Sequence, residues 1–243
     1  MEPLARKLIL LVPAIRRARG FRLYARDGRR FLDLWQDGGA GILGSRPSGV
    51  INALKSSLEA GRHLPLPSDE LSRARKALLS LFPGNRAALP FASAAEARAA
   101  RPDAVEWRPF LPVADANALL VLPPLPSSMR PAFVLLRSGG GEGGFPLPSS
   151  ALLSASFKAL SLLRKEESSG AREAGWTAFD AAARGAFTRE GPYLRPRAGV
   201  DYETTFRSAL ERGALLSPDP ASPSIVPGEF DAGELSFLRE EAP

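Results

Sequence analysis

Between Gly20 and Leu58 the chain reads GFRLYARDGRRFLDLWQDGGAGILGSRPSGVINALKSSL, and this stretch decides the fold. Phe21 and Leu23, then Phe31, Leu32 and Leu34, bracket Arg26-Asp27-Gly28-Arg29. An Asp-Gly pair between two apolar runs predicts a β-hairpin, because glycine accepts the positive φ of a tight turn. Gly38-Gly39-Ala40-Gly41 follows, where bare backbone can approach a ligand or another segment closely. Ser48 is placed to cap a helix, with Val50, Ile51, Leu54 and Leu58 on one face of it.

Downstream, Ser68 opens a helix whose first turn carries Asp69 and Glu70 and whose buried stripe is Leu71, Ala74, Leu78 and Leu81, stopped by Pro83-Gly84. A strand is predicted over 87–91, and Ser93-Ala94-Ala95-Glu96 is a capping box that opens another helix. Three further strands are predicted over 104–110, 118–122 and 132–136. The last two are almost wholly apolar, as in strands covered on both faces. Helices are predicted over 150–165, 171–187 and 202–212, short strands at 193–194, 214–216 and 224–226, and a closing helix over 231–241. Strands and helices interleave, which gives an α/β class.

At 243 residues, 44% hydrophobic and 24% charged, the chain can bury a substantial core. No apolar run approaches the roughly 20 residues needed to span a bilayer. The run 8–14 is short and leads into Arg16-Arg17 without a small-residue cleavage site, so it is not read as a signal peptide. The expectation is a cytoplasmic protein without a membrane partner. Without cysteine there are no disulfides and no thiolate chemistry. With His63 the sole histidine, a histidine metal cluster is excluded and no metal site is expected. The net charge is +6 and the pI about 10.1, but arginines occur in every segment, so the charge reads as an evenly basic surface.

The ordered pattern of Tyr24, Asp27-Gly28, Phe31-Leu32-Asp33, the glycines from Gly38 to Gly44 and then Pro47 resembles the N-terminal segment of class III aminotransferases, pyridoxal-phosphate enzymes of fold type I. Phe206, Ala209-Leu210-Glu211-Arg212-Gly213, Leu215-Leu216 and Ser217-Pro218 resemble their closing small domain. The resemblance implies a reduced transferase fold with a mainly parallel central sheet. Residues 1–84 would supply the first part of a small lobe plus a linking helix, 85–187 the reduced large domain, and 188–243 the rest of the small lobe. It also implies a homodimer, and Trp35, Ile42, Leu43 and the proline-rich link 63–67 are apolar positions that either make that contact or pack against the second lobe of their own chain.

Within that resemblance the catalytic residues are missing. Phe91-Ala92-Ser93-Ala94-Ala95-Glu96-Ala97 resembles the family's phosphate-holding turn, with Ala94 at a glycine position and Ala95 at a hydroxyl position. Ser93, Ala94 and Ala95 are thus a vestigial phosphate turn, or simply a capped helix. Arg137-Ser138-Gly139-Gly140-Gly141-Glu142-Gly143-Gly144-Phe145-Pro146 resembles the family's lysine and glycine stretch. The lysine position falls on Leu136 or Gly139, neither of which can form a Schiff base. Gly139, Gly140 and Gly141 are a candidate phosphate cradle or a surface loop; the Gly-Lys-Ser/Thr ending of a P-loop is absent. The leading expectation is an aminotransferase-like protein without catalysis or cofactor, serving in binding or interaction. The alternative is an active pyridoxal-phosphate enzyme using another lysine, foremost Lys158. A weaker one is a basic anion or nucleic-acid binder.

Overall fold

The computed structural model describes residues 3–182 and 186–238. The chain divides into two compact units, one formed by residues 1–46 with 169–243 and the other by 47–168. The helices after the glycine-rich turn belong to the second unit, whereas the sequence placed them with the N-terminal lobe.

In the first unit, α1 (Pro3–Ile9) precedes β1 (Ile15–Arg19), β2 (Arg22–Ala25) and β3 (Arg30–Asp33). β2 and β3 are the hairpin about Asp27-Gly28, antiparallel with Leu23 opposite Phe31, and Gly28 has φ +90°. From the other end of the chain, β10 (Ala214–Leu215) pairs parallel to β3 and completes a sheet in the order β1-β2-β3-β10. Leu32 N–H donates to Gly213 O at 2.8 Å and Leu34 N–H to Leu215 O at 2.9 Å. A second sheet, antiparallel, contains β8 (Phe187–Glu190), β9 (Tyr193–Pro196) and β11 (Ser224–Ile225) in the order β11-β9-β8. α8 (Tyr202–Glu211) starts at Asp201, whose carboxylate accepts from the N–H groups of Glu203 and Thr204. It buries Tyr202, Phe206, Ala209 and Leu210 against Phe31, Leu32 and Leu215 in one core. The Tyr202 hydroxyl donates to Ser217 O at 2.6 Å, and burial pushes its pKa up to about 12. α7 (Glu173–Ala182) joins that core through Phe179, edge-on to Phe230 at 5.5 Å.

The predicted helix over 171–187 is thus a helix followed by a strand, and residues 183–185 lie outside the described residues. The predicted closing helix is a 3-10 helix, Ala232–Leu238; its predicted residues 239–241 also lie outside them. Glu234 accepts from Asp231 N–H at 2.9 Å, and with Glu229 it holds Arg22.

Between β3 and the end of the unit's first segment, Gln36 to Gly39 form α2, a single turn with left-handed φ at all four residues. Such angles cost little at glycine but strain Gln36 and Asp37. The turn is pinned from both sides. Asp33 accepts from Gln36 N–H at 2.8 Å, and the buried Gln36 amide donates to Ile225 O at 3.0 Å.

The second unit holds α3 (Ser48–Glu59), α4 (Asp69–Leu81), α5 (Ala94–Ala100) and α6 (Ser150–Ser169) about a sheet of β4 (Ala87–Phe91), β5 (Val105–Glu106), β6 (Ala118–Val121) and β7 (Ala132–Leu136), in the order β4-β7-β6-β5. A mainly parallel sheet was expected, and the structure corrects it: β7 runs antiparallel to both β4 and β6, and only β5 and β6 are parallel. The reason is the connection. A parallel return needs a crossover of a dozen or more residues, usually a helix, and residues 122–131 offer only the 3-10 turn Ser127–Met129. α3 is also rotated from its expected face. Val50 and Ser57 are buried, while Ile51 and Leu58 are exposed. No described helix is long and apolar enough to cross a membrane.

Asp33 carries a testable consequence of the turn. Its residue surface is only partly covered, yet its carboxyl is enclosed. That desolvation raises its pKa to about 6 against the lowering effect of the Gln36 and Trp35 N–H groups, and Asp37 adds a smaller push. Unfolded, it titrates near 4. Between these values the folded chain holds the extra proton, so this contribution to stability is complete below about pH 4 and is lost as pH rises through about 6. Urea unfolding between pH 4 and 7 is expected to show a fall of up to about 2–3 kcal/mol, which Asp33→Asn removes.

Candidate functional site

The residues singled out in the sequence fall in the second unit, at its β4 and β7 strands. Ser93 caps α5, its hydroxyl accepting from Glu96 N–H at 3.2 Å. Ala94 is half-buried and Ala95 exposed, and α5 has seven residues. The Glu96 carboxylate lies in this first turn, 3.3 Å from where a Cβ on Gly144 would stand.

The glycine run leaves the end of β7 and travels back along β4, the edge strand of the sheet. Gly144 N–H donates to Pro90 O at 2.7 Å. A Cβ on Gly143 would stand 2.6 Å from Pro90 O, and one on Gly144 2.8 Å from the Phe91 ring. At Gly141 it would meet Leu89 at 3.0 Å. These glycines are explained by packing: they let bare backbone cover an edge that would otherwise expose its polar groups. Gly139 turns the chain with φ +81°, and at Gly139 and Gly140 nothing lies within 4 Å of an added Cβ. Arg137 pairs with Asp115 at the head of the loop.

The fit to pyridoxal phosphate is decided by the amines. The cofactor supplies an electron sink once joined to a lysine, and that lysine must be desolvated to be reactive. Lys7, Lys55, Lys76, Lys158 and Lys165 are all exposed. Lys7 pairs with Glu203 and Lys55 with Glu59. Lys158 projects from α6 so that its stem lies over Gly49 of α3, 2.7 Å from where a Cβ would stand. Leu136 is buried in the β7 ladder, and Gly139 has no side chain. The residues present do not fit the cofactor.

The sequence missed a cleft of about 350 Å³ at the end of α4, bounded by Phe82, Trp107, Leu111, Leu160, Arg164 and Glu167. Trp107 stands edge-on to Phe82 at 4.9 Å. The Phe110 N–H, turned inward by φ +64°, donates to Glu167 at 2.7 Å. Burial raises the Glu167 pKa, while the Phe110 N–H and Arg164 oppose the shift. Its lining mixes apolar side chains with one carboxyl and one guanidinium, and carries no histidine or lysine. Its only trace in the sequence is the break in the expected strand 104–110 at Arg108-Pro109, which frees the chain after Trp107 to bend.

No family model matches the chain. A protein of Treponema pallidum described as uncharacterized is 29% identical over 303 residues, covering 99% of this chain and 98% of its own. Among solved structures, acetylornithine aminotransferase from Elizabethkingia anophelis superposes with a TM-score of 0.70 at 12% identity, covering 98% of this chain and 97% of that one. Ornithine aminotransferase from Toxoplasma gondii, described with pyridoxal phosphate at partial occupancy in its active site, gives 0.70 at 12% identity, covering 93% and 87%. At these identities the likeness is one of fold: the chain has an aminotransferase-like α/β fold.

The packing account of the glycine run separates two substitutions. Gly143→Ala is expected to lower unfolding stability by about 1–3 kcal/mol because Pro90 cannot yield. Gly140→Ala, facing open space, is expected to stay within about 0.5 kcal/mol of the parent chain in the same denaturant titration.

Proposed function

We propose that this chain is a shortened, degenerate relative of class III aminotransferases that has lost catalysis and works as a binding or interaction protein. The observation that carries the proposal is the exposure of all five lysines, none of which stands at the glycine run. Ala94 and Ala95 in place of the glycine and the hydroxyl of the resembled turn, and the use of Gly141, Gly143 and Gly144 as an edge cover, support it. Titration with pyridoxal phosphate is expected to give no saturable visible band that borohydride fixes to the chain. A fixed band that vanishes in Lys158→Ala would establish the active-enzyme alternative instead.

The binding role extends to a second copy of the chain. Of the expected contacts, Ile42 is fully buried, whereas Trp35 and Leu43 are partly buried, Trp35 against the core of its own unit. The expected link 63–67 exposes Leu64 and Leu66, and the preceding α3 adds Ile51 and Leu58, each between 38% and 56% exposed. Apolar residues that recur on one helix and the adjoining link call for a cover. Sedimentation at micromolar concentration is expected to show a dimer, and Leu58→Glu with Leu64→Glu a monomer. A parent chain that sediments as a monomer would remove the dimer from the proposal.

A further inference from the structure

The charge of the chain is not evenly spread, contrary to what its arginine-rich composition suggests. Residues 1–46 hold ten Lys and Arg against four Asp and Glu, while residues 47–243 hold twenty-two of each. The whole surplus of +6 therefore belongs to the N-terminal segment, and the hairpin concentrates it.

β1 is an edge strand, with β2 on one side and, among the described residues, no strand on the other. Arg16, Arg17 and Arg19 are exposed along it, and Arg26 is exposed at the neighbouring turn. Arg29 is paired with Asp27, Arg30 with Glu234, and Arg22 with three carboxylates. Arg16, Arg17, Arg19 and Arg26 have no ion pair among the described residues. Arg17 and Arg19, opposite Tyr24 and Arg22, share one face of the strand, and Arg16 stands at the irregularity that precedes them.

A row of arginines on an edge guards it against a like strand, and the irregularity between Ile15 and Arg17 adds to that guard. A second copy of this chain would bring its own arginines to the contact and be repelled. The same guard is complementary to a strand carrying carboxylates on the matching face. Single-stranded nucleic acid would require an open aromatic platform, and the one ring on this face, Tyr24, is half-buried with the Arg17 guanidinium 4.3 Å above its centre.

We propose that the free edge of β1 takes up an extended acidic segment of a partner protein as an added strand, with backbone hydrogen bonds giving the pairing and Arg16, Arg17 and Arg19 selecting the acidic sequence. This names a partner class for the interaction role proposed above. The residues it turns on all lie in the first unit, away from the glycine run, so pyridoxal-phosphate binding would overturn the earlier proposal and leave this one standing.

The test is fluorescence anisotropy on the full chain with a labelled, end-blocked peptide of alternating Glu and Val. Saturable binding that weakens as salt is raised from low to physiological concentration is expected. Arg17→Glu with Arg19→Glu is expected to weaken it at least about tenfold. Arg17→Gln with Arg19→Gln, which carries less risk to folding, should weaken it by a smaller factor in the same direction. Methylating alternate peptide nitrogens on the pairing edge keeps the charge and removes the donors, and should also cost at least about tenfold. Equal binding of the methylated peptide would overturn strand addition. So would displacement of the peptide by a single-stranded oligonucleotide that binds more tightly, the absence of saturable binding, or unchanged binding by the substituted chains.

Discussion

The first unit depends on one parallel pairing, that of β3 with β10. Two residues in register, Leu32 with Ala214 and Asp33 with Leu215, join segments about 180 positions apart. The ladder is short, but it fixes three things together. It sets Phe31 and Leu32 against α8, it places Gly213 at the only approach its φ of +83° and the nearby Arg30 carbonyl permit, and it brings Leu34 O to Ile225 N–H at 2.6 Å. That last contact positions the Ile225 carbonyl that receives the Gln36 amide. The strained turn at Gln36 and Asp37 is thus held by the ladder and could not be held by its own sequence.

In the second unit the decisive constraint is the uncovered side of β4. The strand contains Pro90, which has no N–H to give a ladder and belongs on an edge. The run after β7 lies back over that edge, and close approach of two backbones there excludes side chains at Gly143 and Gly144. A glycine-rich sequence in this place thus has a sufficient cause in packing alone. The same composition in the transferases the fold resembles is no evidence that the present loop holds a phosphate, since here the approaching group is the protein's own strand.

Much of the fold was legible in the sequence because it rests on local chemistry. The Asp27-Gly28 turn, the Ser68, Ser93 and Asp201 caps and the apolar strands at 87–91 and 132–136 are all set by residues within a few positions of one another. Strand direction was not legible. It follows from the length of the link 122–131 and the lack of a helix in it, and apolar runs look alike whichever way they pair. The face of α3 was misjudged because Gly49 and Ser57, small residues that admit neighbours, outweigh Ile51 and Leu58 in deciding what is buried. At the candidate site, the absence of a suitable lysine could be read directly, whereas the cleft beside Trp107 draws on residues from Phe82 to Glu167, up to 85 positions apart, and left almost no local signal. The basic hairpin was hidden by composition: arginines occur everywhere, and only the placement of the carboxylates shows where they go unanswered.

The ribosome meets this topology as a problem of timing. β3 emerges long before β10, and the whole second unit is made between them. At the usual pace of about 5–20 residues per second, the apolar face of the hairpin, with Phe21, Phe31 and Leu32, stays without its partner for roughly ten to forty seconds. The intervening unit can collapse and fold meanwhile, but it does not supply the missing strand. A nascent chain in this state presents an arginine-rich edge on one side and an unfilled strand position on the other. Until β10 arrives, the open position on β3 leaves the hairpin exposed to wrong strand pairing.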